Sequence, residues 1–463
     1  MDRGRGEVAR CLSFHSSPVK RITDANVNPT AVLFFLVVAT TLWVVPRKFA
    51  LAPLLTGCCF MTTGQGLELG SISLPVYRLL LLVGILRVVI KREGLTGGIN
   101  LIDKIMIVWS CWGVFASLFH DAALGSGPLY ALGGAFNILS VYFLTRVWVS
   151  SVEEMYDLVK LLPLILLPIS LEMVSEKFTG RNLFSALGGV PEYVLLREGK
   201  FRAQGPFLHP ILAGTVGACC VPLFIGILGS ARNRAILGIA VGLCMVIASS
   251  SSGPVMSLLA GLFSVGIWVV RDYTRAMRIC AVAFYGLLML VMKQPPYYII
   301  SMIDISGGST GWHRSFLIER TMMFLSEWWL FGTDHTRHWM PDQGTAMSPT
   351  HTDITNYYIA FAVAGGLLSV LLLFYILWVS FKWVGECYRS MDDYEPGSGF
   401  SVWCFGAALF AHVVTSISVC YFDQSVIFFW LNIAVIGSVY NAQSLQEQAG
   451  EDAESFDERM PAS

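Results

Sequence analysis

Three stretches of this chain combine side chains that bind anions or move protons. The first is Phe201-Arg202-Ala203-Gln204-Gly205-Pro206-Phe207-Leu208-His209-Pro210. Arg202 can donate a paired guanidinium fork to a phosphate oxygen, and the Gly-Pro pair turns the backbone to deliver it. The competing reading is an arginine that snorkels to lipid headgroups, with His209 a capping or packing residue and Gln204 the nearest further polar contact. The second stretch is Gly307-Gly308-Ser309-Thr310-Gly311-Trp312-His313-Arg314, followed by Glu319-Arg320. Glycines with hydroxyls can form a concavity of backbone N–H groups that holds an anion, and Arg314 and Arg320 add charge. A flexible turn is the plain alternative. The third runs from Ser326-Glu327-Trp328-Trp329-Leu330-Phe331-Gly332-Thr333 to His351-Thr352-Asp353-Ile354-Thr355-Asn356-Tyr357-Tyr358. On a continuing helix His351 and Thr355 share a face, and a neutral imidazole suits a general base near pH 7. His351 and Glu319 are the candidate proton-transfer groups, and Asn356 and Gln204 the candidate polar contacts. His335-x-x-His338 with His351 could ligate a metal, but the spacing is unspecific and no cysteine helps. No metal or other cofactor is expected.

These residues sit in an unusually apolar frame. Of 463 residues, 55% are hydrophobic and 14% charged, against about 25% charged in soluble proteins, and mean hydropathy is +0.62. Continuous apolar runs alternate with short polar connections. A helix needs about 20 apolar residues to cross a bilayer, so the expected class is an all-α polytopic bundle. Net charge is −1, and nothing argues for nucleic acid. The eleven cysteines fall mostly inside apolar runs and form no C-x-x-C pair, so disulfides and thiolate metal sites are not expected.

Thirteen apolar runs are candidate spans: 29–45, 49–61, 72–90, 101–119, 129–149, 158–174, 207–228, 235–249, 254–270, 277–292, 354–383, 400–419 and 426–440. Residues 1–28 read as a polar, basic tail ahead of an uncleaved first span, and 441–463 as a solvated acidic tail. Lys and Arg concentrate in one alternating set of connections, at Arg47/Lys48, Lys91/Arg92, Arg146, Arg232/Arg234, Arg271/Arg275 and Lys382/Arg389. The positive-inside rule makes that set cytoplasmic. The loops 176–206 and 293–353 then face outward. Thirteen crossings would put the basic tail outside, against its own charge. Twelve crossings follow if 29–45 and 49–61 act as one or if the first of them is interfacial. A connection as long as 293–353 is usually functional. It holds His313, His335 and His338, and Trp312, Trp328, Trp329 and Trp339, which suit sugar stacking or an interfacial belt. Within 72–90, Arg78 is a further candidate for a lipid pyrophosphate or for an ion pair with Glu68 or Glu172.

Several of these pieces together resemble the O-antigen ligase and O-antigen polymerase superfamily of bacterial inner-membrane proteins. They are Arg202-x-Gln-Gly-Pro-Phe-x-His-Pro-Ile-x-Ala-Gly, Ser249 to Gly253, Arg314, Trp329-Leu-Phe-Gly, and Thr355-Asn-x-Tyr-Ile running to Gly365-Gly366. The resemblance covers roughly residues 182–440. It implies metal-independent, inverting glycosyl transfer from undecaprenyl pyrophosphate to a sugar hydroxyl, on lipid A-core of lipopolysaccharide or on another repeat. It implies that Arg202 and Arg314 hold the pyrophosphate; Arg320 and Arg78 stay candidates on their own positions and are not part of the resemblance. The chain departs from the family where His-Asn-x-Tyr-Leu is usual, because Thr355 occupies the histidine position and His351 lies earlier. A transporter or permease for a lipid-linked or anionic substrate is the alternative expectation.

Overall fold

The computed structural model describes residues 28–69, 72–120, 127–302, 311–340, 351–394 and 397–457, without the side chains of 68–69, 72–73, 394 and 450–457. Each of the thirteen apolar runs lies on a helix. In chain order these are α1 (Pro29–Val44), α2 (Leu51–Phe60), α3 (Val76–Lys91), α4 (Leu101–Ala116), α5 (Gly127–Trp148), α6 (Val152–Thr179), α7 (Pro210–Gly226), α8 (Arg232–Ser249), α9 (Ser252–Gly266) and α10 (Thr274–Val291). Short helices α11 (Ile299–Met302), α12 (Gly311–Met323) and α13 (Leu325–Trp328) precede α14 (Tyr357–Tyr394), α15 (Phe400–Ser416) and α16 (Val426–Asp457). Two small hairpins complete the described chain: β1 (Gly66–Leu69) with β2 (Ile72–Pro75), and β3 (Leu195–Arg197) with β4 (Lys200–Arg202). The protein is an all-α bundle. Among the described residues, seven helical segments are long and apolar enough to cross a membrane: Leu101–Phe119, Gly127–Trp148, Val152–Thr179, Arg232–Ser249, Ser252–Val291, Tyr357–Asp393 and Val426–Ala449. Helices α1, α7 and α15 are apolar but shorter.

The bundle is built around α7, nearly all of whose residues are buried, between α8, α9 and α15. Small residues permit that packing: a Cβ on Gly217 would lie 2.8 Å from the Gly242 carbonyl oxygen. Close backbone approach replaces the hydrophobic drive that lipid does not supply. Helix α10 has no buried residue and lies at the rim.

The connections segregate to two ends. At one end Arg47 donates to the Val147 carbonyl at 2.8 Å, Asn441 to the Thr96 carbonyl, and Arg271 pairs with Asp392. At the other, Gln65 donates to Leu187 O, Gln424 to Pro206 O, and His120 reaches Phe331 O. The Lys- and Arg-rich connections therefore lie opposite the two long loops.

Four sequence expectations need correction. Asn28 bonds Gln65 and the Ala186 carbonyl, so α1 starts at the long-loop end, and α1 and α2 are two antiparallel helices. The expectation that they act as one crossing does not hold. Helix α6 continues to Thr179 because Glu172, Glu176 and Lys177 find partners there. Helix α16 runs to Asp457 with Asn441 and Gln443 buried, so the expected solvated tail begins as helix. Residues 351–356 are not helical; Asn356 accepts from Tyr358 N and Ile359 N and starts α14 after them. His351 and Thr355 therefore share no helix face.

Helix α14 is broken at Gly365 and Gly366, the latter at φ +69°. The stretch Trp329–Thr333 fills the break: Leu367 N donates to Trp329 O at 2.8 Å and Thr333 N to Val363 O at 2.9 Å. Trp112 Nε1 donates to Gly365 O at 2.7 Å. A Cβ on Gly366 would sit 2.3 Å from Leu330 O, so only glycine fits. Irregular backbone within a span is tolerated where protein satisfies its polar groups. The long loop folds over this point as a small helical unit. Leu317, Trp328, Trp339, Met340, Ile354 and Val363 form its separate core.

Candidate functional site

The β3–β4 hairpin organises one half of the site. Glu198 and Gly199 both have positive φ, 50° and 74°, the two-residue turn that matches strand twist. The register pairs Leu195 with Arg202 and Arg197 with Lys200. Opposed residues share a face, as do residues two apart, so Arg197, Lys200 and Arg202 project to one side. Opposed like charges are unfavourable, and an anion between them would offset the repulsion. Arg202 is buried and donates to Ser251 Oγ at 2.9 Å. Lys177, at the end of α6, donates to Phe201 O at 2.6 Å and to Ser250 Oγ, near enough to Lys200 and Arg202 to be repelled by both.

Those two serines lie between α8 and α9. Ser250 has φ +45°, a conformation uncommon outside glycine. Ser251 is the N-cap of α9, but its side chain makes no capping bond and donates to Ser249 O at 2.8 Å. The N-cap side chain therefore leaves the first turn of α9 uncapped among the described residues, and N–H groups at a helix start favour an anion.

The backbone carrying Arg202 is fixed from beneath. The fully buried Glu176 accepts from Gln204 N at 3.0 Å and Gly205 N at 2.8 Å. Asn182 donates to Gly205 O, Gln424 to Pro206 O, and Leu208 N to Asp423 Oδ2 at 2.8 Å. Burial pushes the Asp423 carboxyl up, partly offset by the hydrogen bonds it accepts. Gln204, expected as a substrate contact, donates its amide to Phe207 O at 2.8 Å and is structural. His209 caps α7 by accepting from Ile211 N, the plainer of its two readings.

Helix α12 supplies the other half. Arg314 is half-buried, and its Nε has no hydrogen bond among the described residues. Burial lowers its pKa first, and repulsion from Arg197 lowers it further. That repulsion links α12 to the hairpin. Arg320, six residues on, lies about 120° away around the helix. It stacks over Phe316 at 4.6 Å, which stacks on the exposed Trp312. The expected Arg314–Arg320 pair is therefore split across two faces. Gly307, Gly308, Ser309 and Thr310 lie outside the described residues. Glu319 accepts from the Tyr298 hydroxyl at 2.6 Å, a bond that, ahead of burial, pushes that phenol up to about 12.

Next to Arg314, His313 Nε2 lies 3.2 Å from the Asp353 carbonyl oxygen and 3.7 Å from Asp353 Oδ2. Burial lowers His313 to about 4, with Arg314 adding to the shift against the Asp353 hydrogen bond. Burial alone raises Asp353 well above the usual carboxylate range. Asp353 Oδ2, Thr352 Oγ1 and Thr355 Oγ1 are buried without a hydrogen-bond partner among the described residues.

The other histidines go elsewhere. His351 Nδ1 faces Thr336 Oγ1 at 3.5 Å, while His338 pairs with Glu327 at 2.9 Å. The three-histidine arrangement considered as an alternative does not assemble, and no group of three metal-ligating side chains occurs among the described residues. His120 contacts Asp334 at 3.3 Å and has its pKa raised, burial working against the bonds to Asp334 and Phe331. Arg78 donates to Asn137 at 2.9 Å, on α5 and apart from Glu172, which accepts from Leu183 N. The Glu68 side chain lies outside those described. Of the four loop tryptophans, Trp328 and Trp339 are core, and Trp312 and Trp329 are exposed.

Sequence reasoning does not single out Lys177, Arg197, Lys200 or Glu176. The signal for the hairpin was present in Leu-Leu-Arg-Glu-Gly-Lys-Phe-Arg, a two-residue turn ending in glycine between alternating residues. Lys177 and Glu176 had no local signal, because their partners lie far along the chain. Comparison with protein-family models gives no match, and comparison with curated proteins gives none.

Proposed function

We propose that the protein is a membrane enzyme of polysaccharide assembly that transfers a glycan from a polyprenyl pyrophosphate to a sugar hydroxyl. One observation carries the reading: Arg197, Lys200 and Arg202 on one hairpin face, with Lys177 and Arg314 beside them. A pyrophosphate is the anion whose size and charge suit several cations and an open helix start. Departure of a pyrophosphate leaves negative charge on oxygen, and fixed cations at that point lower the barrier. The order of the quoted sequence pieces agrees with this, as does their position opposite the Lys- and Arg-rich connections. The acceptor is lipid A-core or another repeat unit. The membrane is a bacterial inner membrane, with the long loops outside.

A transporter of a lipid-linked anion is the second reading, and the break in α14 favours it. Against it, Trp329–Thr333 and Trp112 already satisfy the broken backbone. Deletion of the gene in its native bacterium, followed by analysis of lipid-linked and surface glycans, separates the two. Loss of transfer leaves pyrophosphate-linked glycan on the outer leaflet, whereas loss of transport leaves it on the inner leaflet. Unchanged glycans in both pools would remove both readings.

A further inference from the structure

Buried polar atoms without partners are rare, and each one calls for an explanation. Among the described residues, three such side-chain oxygens fall within four residues: Thr352 Oγ1, Asp353 Oδ2 and Thr355 Oγ1. They lie in the non-helical segment between the small helical unit and α14. Backbone demands are met locally, since Thr352 N donates to Thr336 Oγ1 at 3.0 Å and Asn356 caps the helix. Two hydroxyls and a carboxylate oxygen are thus held in place with their hydrogen-bonding capacity open. The complementary ligand offers several hydroxyl groups of its own, which is the chemistry of a sugar.

We infer that this segment binds the acceptor sugar, with Asp353 taking the proton from the attacking hydroxyl and Thr352 and Thr355 holding the ring. The inference rests on the glycosyl-transfer reading. In the step, the acceptor oxygen forms a bond to the anomeric carbon while the bond from that carbon to the pyrophosphate oxygen breaks. The bonding pair leaves with the pyrophosphate, toward the cations of the hairpin. The hydroxyl proton passes to the Asp353 carboxylate and from there to water as product departs. The placement suits both halves, because His313 touches Asp353 and the next residue, Arg314, faces Arg197. His313 is neutral at physiological pH, so it does not neutralise the carboxylate beside it. An apolar surrounding makes a carboxylate a stronger base. Glu319, engaged by Tyr298, lacks this combination, and His351, whose Nδ1 is turned to Thr336, lacks the contact with His313 that ties Asp353 to Arg314.

The test uses the full-length protein in proteoliposomes, with lipid extract of the native host supplying lipid-linked glycan and acceptor. Binding of undecaprenyl pyrophosphate is measured alongside turnover. Asp353→Asn is expected to keep binding within about threefold and to lose turnover at least about 100-fold, the usual share of a general base. Formate is expected to restore turnover of Asp353→Ala at least about tenfold, by entering the vacated space as a carboxylate, and to leave Arg202→Ala unaffected. Turnover of Asp353→Asn within tenfold of wild type, or no rescue by formate, overturns the inference alone. A wild-type protein that neither binds the probe nor consumes the glycan removes the glycosyl-transfer reading itself.

Discussion

Two polar stretches at the same end of the bundle are built in opposite ways. In residues 201–210 the backbone and amide groups are engaged internally: Glu176 takes two N–H groups, Gln424 and Asn182 serve carbonyls, and Gln204 closes on Phe207. In residues 351–355 the backbone is anchored, but side-chain oxygens of Thr352, Asp353 and Thr355 are buried without a hydrogen-bond partner among the described residues. The first arrangement is a rigid mount that fixes Arg202 against Ser251. The second leaves side-chain oxygens open among the described residues, as the proposed sugar receptor requires. Polar residues in a motif can thus serve the fold or the ligand, and hydrogen-bond satisfaction separates the two roles.

Substitutions can break this contrast, and the largest effect belongs to the mount. Glu176→Ala leaves the Gln204 and Gly205 N–H groups buried without an acceptor. A cost of about 2–6 kcal/mol is expected at roughly 1–3 per group, read as a lower melting temperature in detergent. An unchanged melt would mean that the 204–205 turn holds itself.

Arg202→Ala removes one charge while leaving the mount intact. Turnover should fall about 10²–10³-fold, as for other fixed donors at a developing anion, with the melting temperature nearly unchanged. A large loss of stability instead would place Arg202 in the mount, with no part in binding.

His313→Gln sharpens the receptor side. The unfolded imidazole takes its proton near pH 6.5 and the folded one near pH 4. Its contribution is therefore complete above pH 6.5 and is lost as pH falls from 6.5 to 4, by roughly 3 kcal/mol in all. Wild type should lose more stability than His313→Gln across that window, and parallel curves would contradict the burial argument.

The smallest effect is expected at His351. With its ring turned to Thr336, His351→Ala should change turnover by less than about threefold, well below a general base's usual share. A drop of 100-fold would reinstate it as the base.

The sequence made the bundle legible because every span is a continuous apolar run, and composition alone marks such runs. The run 158–174 could not show that α6 continues through Glu176 and Lys177, since both are charged and their partners arrive 24 to 73 residues later. The run 29–45 was legible, but its start at the long-loop end depends on Asn28 meeting Ala186. Gly365-Gly366 and Trp329-Leu-Phe-Gly were visible as separate motifs. Only the fold shows that one fills the break in the other. In the site, Arg202 and Arg314 are legible in the sequence as cations of the two long loops, whereas the hairpin that carries Arg197 toward Arg314 shows only in the fold. Asp353 was overlooked beside a histidine, because sequence offers no measure of which buried oxygen has a partner.

The central claim is that the hairpin cations hold a pyrophosphate lipid. Native mass spectrometry of the full-length chain, titrated with undecaprenyl pyrophosphate and with undecaprenyl phosphate, tests it directly. The expected result is preferential retention of the pyrophosphate by wild type, with that preference lost in Arg202→Ala. Equal retention of both lipids by both proteins would contradict it.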